Sequence, residues 1–274
     1  MAAIFALLSS LSFGTIDFIG GHLSKKHKVM AVAGAVQLTG FIVGVSLLLA
    51  TGTWEAPTWE WNGYFVPGLL SGIIGFTGLN AFFAGLSTGR MGVVSPISSL
   101  SVLIPVIYSL IQGERPHLLA VVGIAIAILG TFLGSGPEIK GGLGVKPLIF
   151  GAIAALCFGT AVLFLTIGAQ ANILLTMTTM RIPNLIVVAL LAIKFKTRGE
   201  FSKHDWLLLA IAGIGDMAAN IFLGQASTMG LVSVSVVLAS LYPVVTALWA
   251  FKFAHERLHK LQYVGIACAI AGVS

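Results

Sequence analysis

The chain has 274 residues, of which 57% are hydrophobic and only 9% are charged, against roughly 25% charged in ordinary soluble domains. This composition excludes a soluble globular protein, and since a membrane-spanning helix needs about 20 apolar residues, it leaves room for about ten spans. The net charge of +6 comes from 15 basic residues that lie almost entirely in short segments between apolar runs. That distribution is typical of membrane topology and not of nucleic-acid binding.

Ten apolar runs follow one another along the chain. They cover residues 2–22, 29–51, 63–87, 91–112, 117–135, 146–169, 171–193, 205–228, 230–251 and 261–274. The first lacks a basic leader region and precedes many others, so we interpret it as a span and not as a cleaved signal peptide. Proline occurs at Pro96, Pro105, Pro183 and Pro243, which membrane helices tolerate where neighbours satisfy the freed backbone groups. The tenth run is short, and we expect the natural chain to continue beyond Ser274.

Basic residues alternate between the loops in a way that predicts topology. Loops after odd-numbered spans hold 13 of the 15 Lys and Arg residues, whereas the even loops hold only Arg115. The positive-inside rule then places the odd loops in the cytoplasm and both chain ends outside. The second loop agrees, because residues 54–61 form an aromatic and acidic segment suited to the outer interface. We therefore predict a multi-pass protein of the inner (cytoplasmic) membrane.

The sequence repeats itself with a period of about 140 to 145 residues. SFGT at 12–15 matches CFGT at 157–160, and a longer match from Gly72 pairs Asn80 with Asn220. We predict a first repeat over 1–135, a cytoplasmic linker over 136–145 and a second repeat over 146–274. Each repeat has an odd number of spans, so the second enters the membrane inverted. The predicted fold class is all-α integral membrane, with ten transmembrane helices in two inverted five-helix repeats.

In these pieces the chain resembles the EamA-type members of the drug/metabolite transporter superfamily. The resemblance is carried by FGTIDFIGGHLSKK from Phe13, SLYPVVTALWAF from Ser240, and the turns Glu114-Arg115 and Glu256-Arg257. It covers essentially the entire chain and implies the ten-helix fold and a transport function. It does not specify a substrate, since relatives carry amino acids, sugars, nucleotide-linked metabolites and drugs. Ser101 falls where the second repeat has Pro243, which predicts that this helix break is not duplicated in place and that the two halves bend differently.

Three ionisable residues lie within predicted spans, where each costs roughly 2.5 to 3.5 kcal/mol and is usually functional: Asp17, Arg181 and Asp216. Asp17 is either a carboxylate for proton coupling or cation binding, or an interfacial aspartate near His22. The position in the first repeat that aligns with Asp216 is Phe76. A carboxylate on one side and an aromatic ring on the other would suit a substrate bearing a positive group; the alternative is that Asp216 makes a purely structural ion pair. Arg181 needs a partner, and its pair with Asp216 is either fixed or switchable.

Neutral polar and aromatic residues supply further candidates for substrate binding. The amides can hydrogen-bond either a neighbouring helix or a solute: Gln37, Asn80, Asn184, Asn220 and Gln225. Tyr242 and Trp249, beside Pro243, either wall a cavity or pack between helices. Cys157 and Cys268 lie in apolar runs without redox or metal spacing, and we interpret both as packing residues.

His255-Glu256-Arg257-Leu258-His259 fits the H-E-x-x-H zinc pattern. It lies at a turn, and its duplicate at Glu114 lacks the first histidine, so we expect Glu256 to cap the following helix instead. No cofactor, metal or ATP-binding loop is predicted.

The sequence thus predicts a secondary transporter and not an enzyme, moving a small metabolite such as an amino acid, amine, sugar or drug-like solute by alternating access. Proton coupling through Asp17 or Asp216 is one option. The partners expected are the small-molecule substrate and the lipid bilayer, without nucleic acid, for a monomer or homodimer. The alternatives are an intramembrane zinc hydrolase using His255, Glu256 and His259, or a non-transporting protein such as a lipid scramblase.

Overall fold

The computed structural model describes residues 1–24, 26–86, 94, 97–134, 145–194, 201–253 and 260–273. Numbered by span, its helices are α1 (Ala2–Ser24), α2 (Val29–Thr51), α3 (Phe65–Leu86), α4 (Leu103–Ile111), α5 (Leu118–Gly134), α6 (Val145–Ala171), α7a (Ile173–Thr179), α7b (Arg181–Lys194), α8 (Lys203–Met229), α9a (Val232–Ala239), α9b (Tyr242–Phe253) and α10 (Lys260–Val273). A 3₁₀ turn over Leu100–Val102 precedes α4. Seven spans in the described ranges are long and apolar enough to cross a membrane, and α4 and α5 are shorter apolar helices. The predicted all-α membrane fold class is confirmed.

Two of the spans break four residues before a proline. A proline inside a helix has no N–H for the carbonyl four residues earlier, and its ring clashes with that carbonyl. Accordingly, α7a ends at Thr179, four residues before Pro183, and α9a ends at Ala239, four residues before Pro243. The positions of the two prolines therefore determine where the seventh and ninth spans divide into half-helices.

The fourth span of the first repeat also departs from a regular α-helix, but at a different point. Because Ser101 occupies the place of Pro243, the sequence predicts that the break of the ninth span is not duplicated in place. The ninth span breaks at residues 240–241, whereas the aligned residues 98–99 are helical and the backbone tightens to a 3₁₀ turn over Leu100–Val102, which contains Ser101. Pro105, four residues further along, frees the Ser101 carbonyl as Pro243 frees that of Ala239. The two repeats therefore interrupt the regular fourth helix at different points.

Helices of the two repeats interlock. The helix α1 packs along α8, and its repeat equivalent α6 packs along α3, while α5 and α10 pack on each other. The Ser9 hydroxyl donates to the Ala219 carbonyl 2.8 Å away across the first of these contacts, and Ser71 donates to Ala161 at 2.9 Å across the second. Each closely packed pair therefore contains one helix from each repeat, related by a pseudo-two-fold axis.

Extending these contacts divides the molecule into two groups of helices. The half-helices α9a and α9b pack on α1, and α2 packs on α8, so we call α1, α2, α8 and α9 the first body. By the same contacts, α4 packs on α6 and both halves of α7 pack on α3, so we call α3, α4, α6 and α7 the second body. The two bodies meet along an extensive contact, where α2 faces both halves of α7, where α8 faces α6 and α7a, and where α4 faces α9a. Neither body coincides with a sequence repeat.

The duplicated Phe-Gly-Thr motif brings a glycine against the broken helix of its own body. A Cβ added to Gly14 would lie 2.7 Å from the carbonyl oxygen of Tyr242, and one added to Gly159 would lie 2.3 Å from that of Ser101. Real Cβ atoms do not approach backbone this closely, so only glycine permits these crossings. The motif is therefore a packing device that lets α1 and α6 touch the interrupted spans.

We expect Gly14→Ala to destabilise the protein, because the added methyl group overlaps the Tyr242 carbonyl; overpacking costs about 1–3 kcal/mol. Gly20→Ala on the same helix is the matched control, since its Cβ would have no neighbour within 4 Å and alanine favours a helix by about 1 kcal/mol. Thermal unfolding in detergent measures both. Equal stability of the two variants would contradict the close crossing.

Candidate functional site

A buried ion pair joins the two bodies near the middle of their spans. Arg181, the first residue of α7b, is 0% exposed. Its Nη2 donates to the Oδ2 of Asp216 on α8, and its Nη1 donates to the backbone carbonyl of Met177 in α7a. The Asp216 side chain remains 18% exposed. A guanidinium in the membrane interior requires such a partner, and the pairing considered from sequence is present.

The local structure that admits Arg181 comes from two neighbours. The break before Pro183 places Arg181 at the start of a new half-helix, so its side chain projects at the gap between α7a and α7b. On α2, Gly40 leaves the necessary space, since a Cβ there would lie 2.6 Å from the Arg181 Nε. Sequence reasoning missed Gly40 and Met177, because neither role can be recognised before the packing of α2 on α7 is known.

Asn220 extends the network by one residue. Its Nδ2 donates to the backbone carbonyl of Asp216 at 2.7 Å and lies 3.5 Å from the Oδ1 of that carboxylate. The repeat-related Asn80 makes the equivalent bond, donating to the Phe76 carbonyl at 2.7 Å. The amide is therefore duplicated and the carboxylate is not, since Phe76 takes its place. Asn80 is exposed and lies outside the Arg181–Asp216–Asn220 network.

Asp17 lies close to this network without belonging to it. Its side chain is exposed and makes no hydrogen bond or ion pair with any described residue, yet it is near enough to interact electrostatically with Asp216 and Tyr242. One turn further on, Gly20 and Gly21 have no atom within 4 Å of an added Cβ. Asp17 and these two glycines therefore lie on a face of α1 that the described residues leave uncovered.

The predicted aromatic candidates fasten α9b to α1. The Trp249 indole nitrogen donates to the Thr15 hydroxyl at 2.9 Å, and the Tyr242 ring lies 6.2 Å from that of Phe13. These contacts hold Trp249 against the first body. Tyr242 lies at the break in the ninth span, near Asp17.

The amide oxygens of Gln37 on α2 and Asn184 on α7b are both buried and have no hydrogen-bond partner in the described part of the chain, as is also true of the Arg181 Nε. Gln37 is one turn from Gly40, and Asn184 is one turn from Arg181. Both amides thus lie on the same α2–α7b contact as the guanidinium.

Glu114 makes a contact between the bodies that sequence reasoning did not foresee. Its carboxylate accepts from the backbone N–H of Val232 at 2.6 Å and from the N–H and hydroxyl of Ser233 at 3.1 and 2.7 Å. Glu114 therefore caps the N-terminus of α9a, in the other repeat. The cap predicted for Glu256, on the helix that follows its turn, falls outside the described residues.

Two other regions do not extend the site. His255, Glu256 and His259, the proposed zinc pattern, lie outside the described residues, and the described residues contain no group of three or more His, Cys, Asp or Glu that could hold a metal. A shallow depression of ≈ 430 Å³ lies at the even-loop ends of α2, α6 and α8, and no ionisable side chain lines it. The ion pair and its neighbours therefore remain the candidate site.

We expect Arg181→Met to lower the melting temperature strongly, because it leaves the Asp216 carboxylate partly buried without its partner; breaking such pairs costs about 3–5 kcal/mol when both groups are fully buried. The double variant Arg181→Met/Asp216→Leu removes both charges and should recover much of the loss. Thermal unfolding of the two single variants and the double variant tests this. A double variant that loses the sum of the two single effects would show that the charges are not coupled.

Comparison with known proteins agrees with this architecture. The model of the EamA-like transporter family matches residues 1–136 and 145–274. A solved structure titled "Crystal structure of protein" superposes with a TM-score of 0.80 at 19% identity, covering 99% of this chain and 94% of that chain; at this identity the likeness shows the fold alone. No curated protein matches. The chain belongs to the EamA-like transporter family of the drug/metabolite transporter superfamily, and it is a multi-pass membrane protein of a family of transporters.

Proposed function

We propose that the protein is a secondary active transporter that moves a small metabolite across the cytoplasmic membrane by alternating access, with the Arg181–Asp216 pair as its coupling element. The observation that carries this proposal is that the pair crosses from the second body to the first. Alternating access requires two rigid groups of helices to rock about a central site. A charge pair between those groups changes its geometry in every cycle.

The charges of the site suggest what drives the cycle. Among the described residues deep within the spans, Asp17 and Asp216 supply two carboxylates and Arg181 one guanidinium. When all three are ionised, one negative charge is uncompensated, which is costly in the membrane interior. A proton or a positive group of the substrate would compensate it. Either a proton on Asp216 or a substrate carboxylate on Arg181 would release the ion pair.

Glu114 supports an assignment of the closed face. Its carboxylate holds α9a of the first body to the turn after α4 of the second body, on the side of the even loops. The charge bias of the loops favours a cytoplasmic odd side and an external even side. In this conformation the bodies would therefore be held together on the outer side.

We expect Asp216→Asn to abolish the pH dependence of transport, because asparagine keeps the shape of the side chain and cannot release a proton. A counterflow screen of labelled amino acids, amines, sugars and nucleosides in proteoliposomes first identifies a cargo. Its uptake is then measured from pH 5 to 8 with Asn80→Ala as control, since Asn80 lies outside the ion-pair network. Unchanged transport with an unchanged pH profile would remove Asp216 from the coupling role.

We expect Glu114→Gln to weaken closure of the even-loop face, because it removes the negative charge at the N-terminus of α9a, worth about 0.3–2 kcal/mol. Val106→Cys, buried between α4 and α9a, reports opening in a background without Cys157 and Cys268. A membrane-impermeant maleimide should label it several-fold faster in Glu114→Gln than in the neighbouring control Arg115→Gln. Identical labelling rates would argue against Glu114 as a clasp.

A further inference from the structure

Three buried polar atoms lie on α2 and α7b, the two helices that cross beside Arg181. The Nε of Arg181, the Oε1 of Gln37 and the Oδ1 of Asn184 have no hydrogen-bond partner among the described residues. Arg181 is 0% exposed and Asn184 is 5% exposed. Buried polar groups in native proteins are almost always hydrogen-bonded, and each unpaired one costs about 1–3 kcal/mol. Three at one helix contact require a common explanation.

The register of the two helices places these atoms together. An added Cβ would lie 2.5 Å from Val188 at Gly34 and 2.6 Å from the Arg181 Nε at Gly40. Residue numbers rise along α2 as they fall along α7, so the helices run antiparallel. Gln37 lies midway between the two glycines, and Asn184 lies between Arg181 and Val188, one turn from each. Gln37 and Asn184 therefore lie at the same level of the contact, with Arg181 one turn away along it.

The chemistry of the three atoms defines what binds between them. The Nε–H can only donate, and the two amide oxygens can only accept. A cation is disfavoured by the adjacent guanidinium, and an anion is disfavoured by the two carbonyl oxygens. The complementary ligand is neutral, accepts one hydrogen bond and donates two. We propose that Gln37, Arg181 and Asn184 form a binding site for a single water molecule between the two bodies, which satisfies the usual count of about three hydrogen bonds for a buried water.

This site gives the ion pair a property that a simple salt bridge lacks. Of the three nitrogens of Arg181, Nη1 is held by the Met177 carbonyl and Nη2 by Asp216, while Nε is held by the water. Two of the three guanidinium nitrogens, Nη1 and Nε, are therefore held independently of Asp216. When the carboxylate is protonated or displaced, the guanidinium keeps its alignment and most of its hydrogen bonds. This role rests on the proposed function, whereas the water site itself does not.

A double-mutant cycle tests the shared site. Gln37→Met and Asn184→Leu each remove one acceptor with little change in volume, and each should lower the melting temperature by several degrees. The double variant should lose clearly less than the sum, because a water that has lost one acceptor is already poorly held. Gln37→Met combined with Gln170→Met is the control, since Gln170 bonds the Ser227 carbonyl elsewhere, and its effects should add. Additive losses in the test pair would overturn the shared site.

Two further measurements identify the occupant in the unmodified protein. A high-resolution density map should show a peak within about 2.7–3.2 Å of all three atoms; a direct bond between the two amides would overturn the proposal. Melting in sodium chloride should equal melting in choline chloride, and a stabilisation by sodium that Gln37→Met abolishes would replace water by a cation. If the losses of stability in the double-mutant cycle are not additive but transport does not depend on pH, the water site stands and its role in coupling is rejected. If transport is proton-coupled but the losses of stability are additive, the water site is rejected and the proposed function stands.

Discussion

The buried guanidinium of Arg181 is the constraint around which the middle of the molecule is arranged. A charge that is withdrawn from both water and lipid must have its hydrogen bonds supplied by the protein. The backbone of α7a and a carboxylate on α8 supply two of them directly, and the water proposed between α2 and α7b would supply the third. The space for the guanidinium comes from Gly40. Moving any of these helices changes the environment of the charge.

The interlocking of the repeats explains how such a pair can be connected to transport. If each repeat formed its own rigid body, α7 and α8 would lie in the same body, and their ion pair would be an internal strut. In the grouping used here they lie in different bodies, since α8 packs on α1, and α7 packs on α3 as well as on α2. The ion pair and the Glu114 cap therefore both lie between the bodies, one at the centre and the other at the even-loop face. A change at the central charge can thus be linked to closure at that face.

The sequence allowed much of this to be predicted, for identifiable reasons. Apolar runs of spanning length and an odd number of spans per repeat lead directly to the inverted ten-helix fold. Charged residues in those runs are rare enough to single out Asp17, Arg181 and Asp216. The 3₁₀ turn at Ser101 was not predicted, because Pro105 acts through the residue four places earlier and the position aligned with Pro243 gives no sign of it.

Contacts between distant helices were beyond reach for a different reason. The cap made by Glu114 joins residues 118 and 119 positions apart in the chain, and no local pattern specifies such a partner. The placement of Gln37 at the level of Asn184 depends on the register of α2 on α7b, which two glycine contacts indicate and which hydropathy does not express. The sequence thus indicated which polar side chains were available, and packing decided which of them share a site.

The exchange of helices between repeats also bears on how the chain is made. The Ser9 hydroxyl on α1 donates to the carbonyl of Ala219 on α8. The first span therefore cannot pack on α8 until most of the polypeptide has been synthesised. During that interval α1 and α3 lie in the bilayer with their glycine-rich faces open to other occupants. Biogenesis of this protein therefore differs from that of a two-domain protein whose N-terminal domain folds first. The first span obtains its partner only when the eighth span follows, and the fifth span only when the tenth does.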